Sequence, residues 1–212
     1  MVTTMTQAMS SQPRKQPSQQ RSRERVERIL AVASDLVAAQ GSEAVKMSDI
    51  AEGAGVSIGS LYQYFPDKSA VIRTLAERYN QTGLECVERI MAKVETMDGL
   101  ADAVQQVVDE YYGMFQDHPV TRDIWFATQA DKALRDIEEA DLAAHAANFE
   151  RMLRKMGVKG GDIELSGYAL LVMHLLCSTV RLAITRPQPE AHRLLDEFKT
   201  MVARDLRTRF GA

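Results

Sequence analysis

Gly55-Val56-Ser57-Ile58-Gly59 sets a hydroxyl between two glycines, the G-x-S-x-G spacing of a hydrolase nucleophile, and Tyr62, Tyr64 and Lys68 follow closely. Two chemistries use such a set. One is acyl transfer from a serine on a strained strand-to-helix turn. The other is recognition of a polyanion. The first turn of a helix offers unpaired backbone N–H groups and a positive dipole end, tyrosine hydroxyls donate to phosphate oxygens, and a lysine adds charge. What precedes Ser57 decides between them. Residues 48–54, SDIAEGA, place Ile50, Ala51 and Ala54 at helical spacing with no strand-like alternation, so no sheet edge carries a nucleophile elbow. Gly53, Gly55 and Gly59 also miss the G-x-G-x-x-G spacing of a dinucleotide turn.

The surrounding periodicity is helical throughout. Val26, Ile29, Leu30, Ala33, Leu36 and Val37 predict a helix from Ser22 to Gln40, ended by Gly41. A short helix follows over 48–54, stopped by Gly55. Ser57 caps a third, 57–64, which ends before Pro66. Asp67 caps a fourth, 67–94. Five more are predicted at 100–118, 121–129, 132–156, 162–186 and 189–209, with breaks at Asp98-Gly99, His118-Pro119, Gly157–Gly161 and Pro187–Pro189. The fold class is all-α, with about nine helices.

Helices 48–54 and 57–64, joined by a tight turn at Gly55-Val56, make a helix-turn-helix. Ile50, Ala51, Val56 and Leu61 face inward, which leaves Ile58, Gly59, Tyr62 and Gln63 facing out. Gly59 is a poor helix former near a helix start, as suits a helix end that must approach another surface closely.

The run DIAEGAGVSIGSLYQYFPDKSAVI resembles the DNA-binding domain of the TetR family of transcriptional repressors. The residues that carry the resemblance are Ile50-Ala51, Ala54-Gly55-Val56-Ser57, Ser60-Leu61-Tyr62, Tyr64-Phe65 and Lys68, within a match over roughly residues 24–75. The resemblance implies a function in binding double-stranded operator DNA. Ser48 starts the second helix near the DNA backbone. Ser57, Ile58, Gly59 and Ser60 open the recognition helix, Gln63 lies on its outer face, and Tyr62, Tyr64 and Lys68 donate to phosphates. Many relatives carry a polar or basic residue where Ile58 stands. An apolar side chain there touches a thymine methyl but cannot hydrogen-bond guanine.

The totals agree with a local rather than a global anion site. Across 212 residues the net charge is -3, while residues 1–68 hold eight basic and seven acidic side chains. Residues 1–21, rich in Ser, Gln, Thr and Pro, are expected to form a disordered basic tail. The domain organisation expected is therefore this tail, a DNA-binding domain over 22–68, and an effector-binding and dimerisation domain over 69–212, connected by helix 67–94. Cys86 and Cys177 fit no metal or redox spacing, and reduced thiols in a cytoplasmic protein are expected. The apolar run 167–184 contains His174 and Arg181, which argues for a buried helix over a membrane span. No catalytic constellation, metal site or cofactor motif is expected.

In the C-terminal half, Leu171 and Ser178 on one helix and Leu195, Phe198, Val202 and Leu206 on the last are spaced as packing seams, and a homodimer interface is expected there. A dimer presents two recognition helices one DNA turn apart and so reads a palindrome. Tyr111, Phe115, Trp125, Phe149, Met152, Tyr168, Met173 and His174 are the candidate lining of a pocket for a small hydrophobic or aromatic effector. The same stripe also fits plain core.

Overall fold

The computed structural model describes residues 17–159 and 161–210. Among them all regular structure is helical: α1 (Pro17–Ala44), α2 (Met47–Gly53), α3 (Ile58–Tyr64), α4 (Lys68–Met91), α5 (Met97–Asp117), α6 (Pro119–Ala130), α7 (Arg135–Lys155), α8 (Asp162–Ala183) and α9 (Gln188–Phe210), with a 3-10 turn at Lys132–Leu134 before α7.

Two boundaries differ from the sequence expectation. Helix α1 begins at Pro17, so residues 17–21 of the expected disordered tail are helical; residues 1–16, with Arg14 and Lys15, lie outside the described residues. The stretch has no aliphatics, but glutamine and arginine are good helix formers, and the Gln20 side chain donates to Glu24 at 3.0 Å one turn on. The second difference is at Asp98-Gly99, which is no break. Thr96 caps α5 by accepting from the Gly99 N–H at 3.0 Å, so both residues belong to the first helical turn. Gly41 does interrupt α1, with a positive φ of 78°, before a last helical turn to Ala44.

Two apolar cores organise the chain. The first joins Ile29, Leu30, Ala33 and Val37 of α1 to Ile50, Ala51, Leu61 and Phe65, and continues through Val71, Ile72, Leu75 and Ala76 of α4 to Val120 and Ile124 of α6 and Ile137 of α7. The expected domain boundary after residue 68 therefore cuts through one continuous core. The second core fills the C-terminal bundle of α5, α7, α8 and α9 and takes in Ile90 and Met91 from the far end of α4. Helix α4 thus contributes to both cores and forms a mechanical link between them.

Helix α8 contains a stretch, Glu164–Ala183, long and apolar enough to cross a membrane, with a mean hydropathy of 1.4. One face of it packs along α7 and α9, with Leu165, Ala169, Val172, Leu176 and Val180 buried in the second core. The opposite face is the one left uncovered.

Candidate nucleic-acid interface and ligand cavity

The α2–turn–α3 unit is held from behind. Leu61, in the middle of α3, is fully buried between Ile50, Ala51 and the α1 core. Burial of one leucine supplies about 2 kcal/mol, enough to fix the face of a seven-residue helix that could not stand alone. The turn closes with Val56 N–H donating to Ala51 O and Gly55 N–H to Glu52 O, both at 3.0 Å, and Gly55 takes the left-handed φ of 63°. Gly53 lets α2 approach α1: a Cβ there would stand 2.7 Å from Val32 Cγ1. Ser57 accepts from the Ser60 N–H at 3.1 Å and is the N-cap of α3. Its hydroxyl is a helix cap between two helices, not the tip of a strand.

With Leu61 inward, Ile58 is 44% exposed and Tyr62 50%, and Ser57, Gly59 and Gln63 are exposed beside them. A Cβ at Gly59 would meet nothing within 4 Å. Nothing inside the subunit therefore requires a glycine at this position. Two side chains of α1, three residues apart and so on one face, lock α3 laterally. Ser22 donates to the Tyr64 hydroxyl at 3.3 Å, and Arg25 Nη1 donates to Ser60 Oγ at 3.5 Å. Arg25 is a cation at the recognition helix that sequence reasoning missed; its spacing from Ser22 was the available signal.

Three of the residues expected at the DNA engage partners inside the subunit. Tyr64 is half-buried against the first core. Lys68 turns back to α1, where Nζ donates to Ser42 O and Glu43 O, each at 2.9 Å. Two of its three N–H groups are spent on backbone carbonyls. Ser48 is exposed and donates to its neighbour Asp49 at 3.0 Å.

Residues 29–75 match the family model described as bacterial regulatory proteins, tetR family, and residues 98–210, just over half of the chain, match the tetracyclin repressor-like C-terminal domain. The chain belongs to the TetR family. Among solved structures, a TetR-family regulator from Streptomyces coelicolor has the same fold, with a TM-score of 0.67 at 23% identity over 89% of this chain and 98% of that one. A SmeT–triclosan complex gives 0.63 at 18% identity, over 88% and 91%. The nucleoid occlusion factor SlmA of Haemophilus ducreyi is 37% identical over 79 residues, 37% of each chain. The TetR-family chain described here thus spans well under two thirds of that relative's length in the match.

The C-terminal domain of this TetR-family regulator is hollow. A cavity of about 610 Å³ opens between α4, α5, α6, α7 and α8. Of the eight candidate residues, Tyr111, Phe115, Trp125 and Met173 line it. Phe149, Met152, Tyr168 and His174 do not. Phe149 and Met152 are buried in the second core. Tyr168 donates to Asp205 at 2.8 Å under Phe210 and Arg209, at the α8–α9 end. His174 points outward from α8.

The polar end of the cavity was not anticipated as a group. Glu138, Asp141 and His145 of α7 all face it. Their spacing of three and four residues puts them on one helix face, a pattern visible in the sequence. Glu138 accepts from Arg181 of α8 at 2.6 Å and from Thr128 at 3.0 Å. The Arg181 guanidinium lies over the Trp125 ring, 4.7 Å from its centroid. Trp125 Nε1 is buried near Glu138 without a hydrogen bond of normal geometry. Asp141 meets only His145 Nε2, at 3.6 Å, beyond a hydrogen bond. Burial pushes the Asp141 carboxyl up to about 6, against the pull of Arg181, and burial holds the His145 imidazole down. Burial likewise raises the Glu138 carboxyl, the Cys177 thiol, to about 11, and the Tyr111 phenol.

The expected dimer residues divide. Leu195, Phe198, Val202 and Leu206 are buried in the subunit's own core, where α9 packs against α5 and α8. Their spacing marks a seam, but an intramolecular one. Leu171 is 55% exposed and Ser178 is exposed, and with Leu175 and Leu182 they form a stripe along the uncovered face of α8, beside exposed Leu170 and Met201.

Proposed function

We propose that the protein is a cytoplasmic repressor that binds a palindromic operator as a homodimer and releases it when a small molecule enters the C-terminal cavity. The observation that carries the DNA half of this reading is α3 itself: Leu61 is pinned while Ile58, Gly59, Tyr62 and Gln63 stand free on the opposite side. Ile58 meets bases through apolar contact, Tyr62 donates to phosphate, and Gly59 admits the backbone to close range. Lys68 and Tyr64 brace the unit more than they reach outward.

The outward stripe of α8, Leu171, Leu175, Ser178 and Leu182, supplies the dimer interface. Exposed apolar residues at this spacing along one helix demand cover, and the same face on a second copy gives an isologous pairing.

Release follows from the shared first core. Trp125 in α6 lines the cavity, and its neighbour Ile124 is packed in the DNA-binding core. A ligand that favours one placement of α6 and α7 biases α1 and α4 with them, provided it binds the two arrangements unequally. A purely architectural role has some support in the partial likeness to a nucleoid occlusion factor. The cavity favours the sensing reading over it, as does the ligand-bound SmeT fold relative.

The test is selection of bound duplexes from a random pool, followed by titration of the recovered sequence. A palindromic site bound by two chains supports the proposal. Binding without sequence preference supports the architectural reading instead.

A further inference from the structure

The cavity carries a charge imbalance that its own arginine does not cancel. Six carboxylates stand on its wall and mouth, Glu85, Asp109, Glu110, Asp117, Glu138 and Asp141, against one arginine, Arg89, and two histidines. Lys199 answers Asp109 at the rim. At the deep end the count is two carboxylates, Glu138 and Asp141, to one guanidinium, Arg181, which is committed to Glu138 at 2.6 Å. Asp141 is left with His145 at 3.6 Å, beyond a hydrogen bond, and burial holds that imidazole below its ordinary range against the pull of Glu88.

The same corner also shows what kind of group it holds. Arg181 sits against a carboxylate and over an indole face at once, the two contacts that stabilise a desolvated cation. Tyr111 and Phe115, edge to face at 5.2 Å, continue the aromatic wall. We propose that the cavity selects an organic cation: a ligand with an apolar or aromatic body filling the Tyr111–Phe115–Trp125 wall and a single positive nitrogen set against Asp141. The inference rests on the reading of this cavity as the effector site and specifies the ligand's charge. An anionic ligand would face the uncancelled carboxylate, and a neutral one would leave it unpaired. At neutral pH Asp141, with its carboxyl near 6, is ionised and supplies the counter-charge.

Trp125 is the only tryptophan of the chain, so its emission reports on this cavity alone. The full chain is titrated at pH 7.5 with benzyltrimethylammonium, its neutral carbon isostere neopentylbenzene, and phenylacetate. The cation is expected to bind about tenfold or more tightly than the isostere, as a desolvated cation–carboxylate contact requires. Asp141→Asn is expected to erase that preference, bringing the cation and the isostere to similar affinity, and Asp141→Glu to retain most of it. Melting curves of both variants report folding. Equal or tighter binding of the isostere or of phenylacetate overturns the cation assignment and leaves the effector cavity standing. No emission change with any of the three overturns both.

Discussion

Asp136, at the start of α7, holds Arg73 of α4 with both carboxylate oxygens, each 3.0 Å from a guanidinium nitrogen. Arg73 also donates to Ala133 O, and Ser69, one turn earlier in α4, donates to Asp131 at 2.7 Å. Two residues beyond Asp136 stands Glu138, in the cavity wall and paired with Arg181. The polar end of the cavity and the first turns of α4 are thus joined through one short stretch, residues 131–138. Under the proposed function, that stretch is a second route, beside the Ile124–Trp125 segment of α6, by which occupancy of the cavity would reach the helix-turn-helix.

Arg73→Ala should therefore uncouple the two functions. Ligand binding and operator binding are each expected to stay within a fewfold of the parent, while the ligand-induced loss of operator affinity shrinks by about tenfold, within the usual range of allosteric coupling. Arg73→Lys should not restore coupling, because a lysine cannot make the bidentate pair. Operator titrations with and without saturating ligand measure this. Undiminished coupling in Arg73→Ala would remove residues 131–138 from the route.

The α8 stripe makes an equally direct claim. Leu171→Arg with Leu175→Arg places charge on two exposed positions of one face and touches neither core. The double variant is expected to sediment as a monomer with near-parent helicity, and to lose most operator affinity because only one recognition helix then engages. Phe198→Ala, on the seam first expected to be the interface, should instead cost about 3 to 5 kcal/mol of stability as a core truncation.

Asp141 gives a signed pH dependence. Its carboxyl titrates near 6 in the folded state against 3.8 for the ordinary group. The folded state therefore holds its proton more tightly, and the contribution is fully present below pH 3.8 and lost as pH rises through 6. Glu138 and His145 on its own helix, Tyr111 of α5, and Arg181 and Cys177 of α8 are the titratable and charged groups around it. Asp141→Asn is expected to match the parent near pH 4 and exceed it by at most about 3 kcal/mol above pH 7. Urea melts across that range check the sign. A variant less stable than the parent at pH 8 would mean that Arg181 outweighs burial.

How far the sequence reveals this molecule depends on the range of the interaction involved. Leu61, Ile50 and the Ser57 cap are legible because helix period and capping are local, and they fix which side of α3 is free. Asp98-Gly99 misleads because one upstream threonine absorbs both residues into α5. The α9 seam is visible in the spacing, but spacing does not say whether α5 or a second copy covers it. Lys68 reads as a phosphate donor until the fold brings Ser42 and Glu43 carbonyls to it from twenty-five residues away. Glu138, Asp141 and His145 were on one helical face all along, yet only the packing of α8 and α6 shows that this face encloses a cavity.

Gly59 offers the most direct test that α3 is presented to DNA. A side chain there meets nothing within 4 Å, and glycine inside a helix costs up to about 1 kcal/mol relative to other residues. Gly59→Gln is therefore expected to melt at or above the parent temperature while its affinity for the selected duplex falls by at least about a hundredfold, because the added side chain occupies the space in which the DNA must sit. A Gly59→Gln protein that keeps parent affinity for that duplex would show that DNA does not meet this face, and the account of α3 as the recognition helix would be wrong.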